Sequence, residues 1–174
     1  MSIPNPSLAR GSAAGIDGVP ADAVSLLAND HADVADLFDE YEAMVDSAAA
    51  DDEKQALAER ICAMLTAHTT LEEEIFYPAA REALDEQDLL DEAEVEHATA
   101  KDLIEQIQSM DPTDELYDAK VKVLGEYVSH HVQEEEEEIF PRCQSSQMDL
   151  EGLAEELHAR KEELMEELGM TDEE

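Results

Sequence analysis

The chain has 174 residues, 47 of them acidic against 10 basic, for a formal charge of −37 at neutral pH. That length fits one domain with a proper core, and the charge repels phosphate backbones and anionic lipid, so nucleic acid and membrane are not expected partners while cations are attracted. No apolar run approaches the roughly 20 residues of a membrane span, and the first residues lack the basic-then-apolar order of a secretion signal, so a cytoplasmic location is expected.

Residues 1–20, with three prolines, three glycines and no apolar period, read as a flexible leader. A first helix is expected from Ala21 to Ser47, with Leu27, His31, Val34, Phe38 and Tyr41 recurring at three- and four-residue steps. Acidic residues from Asp51 open a second, whose broad face carries Leu57, Ile61, Met64, Leu65, His68, Leu71, Glu72 and Ile75, and which Pro78 should end or kink, with a brief continuation over residues 79–85. A third helix spans Asp88 to Met110 with Leu90, Ala93, His97, Ala100, Ile104 and Ile107 on one side, and Asp111-Pro112 stops it. Thr113 is expected to cap a fourth, in which Leu116, Val123, Leu124, Tyr127, His131, Glu135 and Ile139 line up before Pro141. After a linker from residue 143, an amphipathic stretch from Asp149 to Leu168 should form a fifth helix, packed on the outside of the bundle or against another protein or a second copy. No segment alternates with period two. The fold expected is all-α, an up-down-up-down four-helix bundle over residues 21–142 with an additional C-terminal helix.

Two stretches of this pattern are nearly the same stretch twice. His68-Thr-Thr-Leu-Glu72-Glu-Glu-Ile-Phe-Tyr-Pro78 and His131-Val-Gln-Glu-Glu135-Glu-Glu-Glu-Ile-Phe-Pro141 each set a histidine four residues before a glutamate and ten before a proline. On a helix, positions i and i+4 share a face, so each stretch presents an imidazole and a carboxylate side by side. One lone histidine precedes each, His31 by 37 residues and His97 by 34, which makes the chain look like a duplicated helix pair. The run Glu134–Glu138 offers several registers; aligning the prolines pairs His68 with His131 and Glu72 with Glu135, and turns His130 about 100° away. His130 and His158 then read as surface residues. Tyr127, one turn before His131, is either a core tyrosine or a hydrogen-bond donor or extra oxygen ligand at the site.

A lone histidine on an apolar stripe is ordinarily a satisfied core residue, and a glutamate in an acidic run is ordinarily solvated. What argues for metal is that four inward histidines and two inward glutamates fall at matching depths, where an unpaired carboxylate costs several kcal/mol. Six nitrogen and oxygen ligands exceed one tetrahedral zinc and include no thiolate. Two metals sharing Glu72 and Glu135, each with two histidines, would use all six, and iron suits that set, with manganese and zinc as competitors. Cys62 and Cys143, outside any Cys-x-x-Cys spacing, read as free thiols.

Through Asp-His31, His68-x-x-x-Glu72-Glu with its Tyr-Pro end, Glu-His97, and His131-x-x-x-Glu135 with its Phe-Pro end, the chain resembles the hemerythrin-like HHE cation-binding proteins from about Ala23 to Arg142. The resemblance implies two iron ions in the bundle, bridged by the two glutamates and an oxygen-derived ligand, that meet dioxygen, peroxide or nitric oxide in sensing or detoxification; the alternative is a binding module for iron or oxygen sensing, storage or delivery without turnover. Oxygen carriers of this family have a fifth histidine four residues after the one matching His97, and an aspartate on the fourth helix. Here those positions hold Lys101 and Glu135, which leaves more open metal positions and favours reaction over carriage.

Overall fold

A computed structural model describes residues 20–170; the stretch read as a leader, residues 1–20, lies outside the described residues except for Pro20. The elements are α1 (Ala23–Asp46), α2 (Asp51–Leu71), a π-helical turn (Glu72–Phe76), α3 (Tyr77–Ala83), α4 (Gln87–Ser109), α5 (Tyr117–Glu134), a second π-helical turn (Glu135–Ile139), α6 (Phe140–Gln144) and α7 (Leu150–Glu167). No strand occurs among the described residues. Helix α1 packs on α2 and α5, and α4 packs on α5 and α2, which closes the expected four-helix square. Asp22 caps α1 by accepting from the Ser25 amide at 2.8 Å, and Asp51, Asp52 and Glu53 place negative charge in the first turn of α2, where the helix dipole favours it.

Pro78 does not end its helix. The chain stays helical from Asp51 through Ala83, because the turn before the proline is widened: the Tyr77 amide donates to the Glu72 carbonyl, five residues back. The proline has no N–H to offer and its ring would press on the carbonyl four residues before it; one extra residue in the preceding turn absorbs both. The second half repeats the device, with the Phe140 amide donating to the Glu135 carbonyl ahead of Pro141. Thr113 is likewise not a helix cap. Its amide and hydroxyl both donate to Asp111 Oδ1 in a tight turn, α5 begins at Tyr117, and Leu116 and Val123 stand exposed at 58% and 47%.

The core has two apolar layers. One holds Leu27, Leu71, Phe76, Tyr77, Ala93, Ile139, Phe140 and Cys143, with Leu157 and Leu164 of α7; the other holds Val34, Leu37, Tyr41, Ile61, Leu65, Ala100, Ile104 and Leu124. His31, His68, His97 and His131 fall in sequence between members of the two layers on each helix, so the polar residues form a slab between apolar ends. Helix α7 lies against α1, α2 and the first π-turn, and its cap, Asp149, accepts from the Gly152 amide at 3.0 Å. No described helix is long and apolar enough to cross a membrane.

Candidate metal centre

Helix α1 brings His31 to this slab, α2 His68, α4 His97 and α5 His131, while Glu72 and Glu135 each open a π-turn one helical turn beyond a histidine. All six side chains predicted from the sequence meet, and all six are buried, the two glutamates completely. They form two overlapping sets, His31, His68, Glu72, Glu135 and His97, His131, Glu72, Glu135. In the first, the Nε2 atoms of His31 and His68 are 3.0 Å apart; in the second, those of His97 and His131 are 3.2 Å apart. Glu72 Oε1 lies 2.7 Å from His68 Nε2 and 3.5 Å from His97 Nε2. Glu135 reaches the same way across the halves, Oε1 at 3.2 Å from His31 Nε2 and Oε2 at 3.4 Å from His131 Nε2.

The other ring nitrogen of each histidine faces a carboxylate. His68 Nδ1 donates to Asp30 Oδ2 at 3.2 Å and His131 Nδ1 to Glu96 Oε1 at 3.0 Å. His31 Nδ1 donates to Glu136 Oε1 at 3.1 Å, and His97 Nδ1 sits 3.6 Å from Glu73 Oε2. The pattern is crossed: the acid before each lone histidine holds the histidine of its own half, and the acid after each shared glutamate faces the lone histidine of the other half. A carboxylate at Nδ1 fixes the tautomer that turns the Nε2 lone pair inward, as metal-binding histidines require. Lys101 turns away from the centre and donates to Glu73 Oε1 at 2.6 Å. Outside the slab, Lys161 of α7 pairs with Asp30 Oδ1.

The electrostatics are those of a cation site. Burial alone would push the Glu72 carboxyl up, yet the charge of His68 and hydrogen bonds from its neighbours hold it well below the usual range. Burial opposes charging of His131, but its hydrogen bond to Glu135 and the charges of Glu135 and Glu72 raise it to about 9. His31 and His68 are shifted upward against burial in the same way. Both oxygens of Glu72 and Oε1 of Glu135 are buried without a well-formed hydrogen bond. Groups of this kind cost free energy when left unpaired, and two carboxylates shared among four inward Nε2 atoms fit a pair of metal ions.

The phenol at the site is Tyr77, which the sequence shows only as the Tyr of a Tyr-Pro end. Its hydroxyl donates to Glu135 Oε2 at 2.5 Å and stands 3.3 Å from His97 Nε2 and 3.4 Å from His131 Nε2. Burial and the charges of Glu135 and Glu72 hold it protonated, well above the ordinary value near 10. Tyr127 is half-buried and lines a small cavity with the four histidines, Val34, Leu65, Ala100 and Val128, with no hydrogen bond from its hydroxyl to any of the six. The counterpart of Tyr77 in the second half is Phe140, stacked on His31 with ring centres 5.8 Å apart. One pair of histidines therefore has a hydroxyl beside it and the other a phenyl face.

The model of the "Hemerythrin HHE cation binding domain" family matches residues 22–143. A solved structure of a hemerythrin HHE cation-binding domain-containing protein from Mycobacterium kansasii superposes with a TM-score of 0.71 at 22% identity, covering 85% of this chain and 90% of that one, and so shares its fold. A protein named DNA nickase from Nostoc sp. is 34% identical over 110 residues, 60% of this chain. That match takes in 30% of the Nostoc protein's length.

Proposed function

The chain belongs to the hemerythrin HHE cation-binding domain family, and from that premise we propose that it is a cytoplasmic non-haem di-iron protein that reacts with dioxygen, peroxide or nitric oxide in sensing or detoxification. His31 and His68 would hold one iron, His97 and His131 the other, and Glu72 and Glu135 would be shared. The observation that carries this reading is the pair of fully buried glutamates, each lying between inward Nε2 atoms from both halves of the bundle. Manganese or zinc would fit the same donors, since affinity order alone does not select iron. Free, buried Cys62 and Cys143 accord with a reducing compartment.

Bound as a pair, the irons would supply electrons two at a time to a small oxidant. The protein's own part is to prepare the place. Asp30, Glu96 and Glu136 orient His68, His131 and His31 through hydrogen bonds, and Glu73 Oε2 stands 3.6 Å from the fourth ring, that of His97. The cavity of about 30 Å³ beside the histidines is lined by them, by Asp30 and Glu96, and by Val34, Leu65, Ala100 and Val128, and its size suits a small molecule. Tyr77 keeps a proton on its hydroxyl between Glu135 and the His97–His131 pair, where it can be given to a reduced ligand and recovered. Phe140 keeps water from His31 on the opposite side.

The test is anaerobic ferrous loading followed by air, with iron counted on the same sample. Two irons per chain and new near-ultraviolet absorption in air are expected, with peroxide consumption separating turnover from sensing. One iron or none, with no spectral change, would overturn the reading. Stability that rises with iron without any turnover would instead favour a metal- or oxygen-sensing module; the contact of α7 with the centre through Lys161 and Asp30 supports that second reading.

A further inference from the structure

The His-x-x-x-Glu spacing occurs a second time on α5, one residue earlier. His130 and Glu134 are rotated about 100° from His131 and Glu135, toward the outside of the bundle, with His130 Nε2 3.1 Å from Glu134 Oε1. Glu96 of α4 completes a group in which one ligand atom from each residue lies within 4.8 Å of the others. The first half of the chain has no such group, since Ala67 and Leu71 occupy the matching positions.

The two halves differ again in how the acid behind the buried histidine is balanced. Asp30 gives one oxygen to His68 and the other to the ammonium group of Lys161. Glu96, only 9% exposed, gives Oε1 to His131, and its Oε2 has no hydrogen-bond partner among the described residues. Where the first half supplies a cation from α7, the second supplies none. No lysine or arginine among the described residues pairs with the side chain of Glu92, Glu96, Glu134 or Glu138. A cleft of about 10 Å³, room for one water-sized particle, is lined by these four carboxylates and ends on His131 and Glu135.

We propose that Glu96, His130 and Glu134 form a divalent-cation site beside this cleft, of which Glu96 and Glu134 are walls, a loading port that captures ferrous iron and passes it to the buried centre. The proposal rests on the di-metal reading above. One imidazole with carboxylates is a mixed donor set suited to ferrous, manganous or zinc ions, and its exposed position favours capture and release over retention. Carboxylate-lined clefts also raise the local concentration of cations and their rate of arrival.

The test uses the full-length apo protein under anaerobic conditions, with protein-bound iron counted after rapid desalting at successive times. His130→Ala/Glu134→Gln is expected to reach the wild-type two irons per chain, with the initial rate lower by roughly tenfold, the lower end of what charge-lined clefts contribute. His158→Ala/Glu162→Gln removes the same kind of pair, 3.3 Å apart on α7, and is expected to load at the wild-type rate. An unchanged rate in the first variant, or equal slowing in both, would overturn the port. Failure of the wild type itself to take up iron would overturn the buried centre, and a manganous titration followed by electron paramagnetic resonance then decides the surface site alone. One bound manganous ion present in wild type and absent from His130→Ala/Glu134→Gln supports it; identical titrations refute it.

Discussion

Raising the pH should loosen the metal-free protein and leave the loaded one firm. His131 has its pKa lifted to about 9 in the folded chain, against about 6.5 when unfolded. A histidine that binds its proton more tightly when folded contributes all of its stabilisation below the unfolded value and loses it as pH climbs through the folded one. The rise from 6.5 to about 9, at about 1.4 kcal/mol per pH unit, comes to about 3 kcal/mol. His31 and His68 shift in the same direction and add to it. For a domain of this size 1 kcal/mol moves the melting midpoint by about 2–4 °C, so the apo midpoint should fall by about 6–12 °C between pH 6.5 and 9. The assay is thermal melting by circular dichroism, in chelator and with ferrous iron under argon. Metal binding needs neutral imidazoles, so the gap between loaded and apo midpoints should widen over the same range. The surface variant His130→Ala/His158→Ala should keep the slope. An apo midpoint that is flat or rises from pH 6.5 to 9 would refute the charge state assigned to the centre.

Replacing both shared carboxylates, Glu72→Leu/Glu135→Leu, removes one side of each buried pair and should destabilise the apo protein by about 3–5 kcal/mol, while the rise in melting midpoint with iron disappears; an iron response equal to wild type would sink the ligand assignment. Asp30→Asn keeps the size of the group that orients His68 but not its charge, and metal affinity measured by chelator competition should fall 10–100-fold. Tyr77→Phe removes the only well-formed hydrogen bond to a buried oxygen of Glu135 among the described residues and should cost the apo fold about 1–3 kcal/mol in urea unfolding, with less lost in the iron-loaded protein.

Much of this centre was legible because the ligand signal is positional. A histidine and a glutamate four apart on an apolar stripe have few structural reasons to be there, and two copies with matching lone histidines fix all six residues. The orienting acids were harder to see. Asp30, Glu73, Glu96 and Glu136 stand among 47 acidic residues, and only their recurrence, an acid just before each lone histidine and just after each shared glutamate, sets them apart. Tyr127 and Tyr77 illustrate a different limit. One turn of α-helix before His131 puts Tyr127 near the centre by simple periodicity, whereas Tyr77 reaches Glu135 only because the π-turn changes the phase of the helix ahead of it. The ordinary effect of proline on an α-helix predicts a break or a kink, and the same unfamiliar turn is why the helix survives it. Thr113 followed by acids matches a cap in sequence, but its bonds to Asp111 close a tighter turn first.

Those π-turns also divide each long rod into two segments with independent phase. Up to Glu135 the angle of the helix is set by where His131 and Glu135 must aim; beyond it, by where Phe140 and Cys143 must pack. The residues between act as a spacer. Glu137 and Glu138 have exposed side chains, so exchanging either for another helix former should leave the fold almost unchanged. Deleting one should not, because a rod one residue shorter would swing Phe140 off the face of His31 and pull Cys143 from the interior. At Glu137 and Glu138 the fold counts residues and not charge.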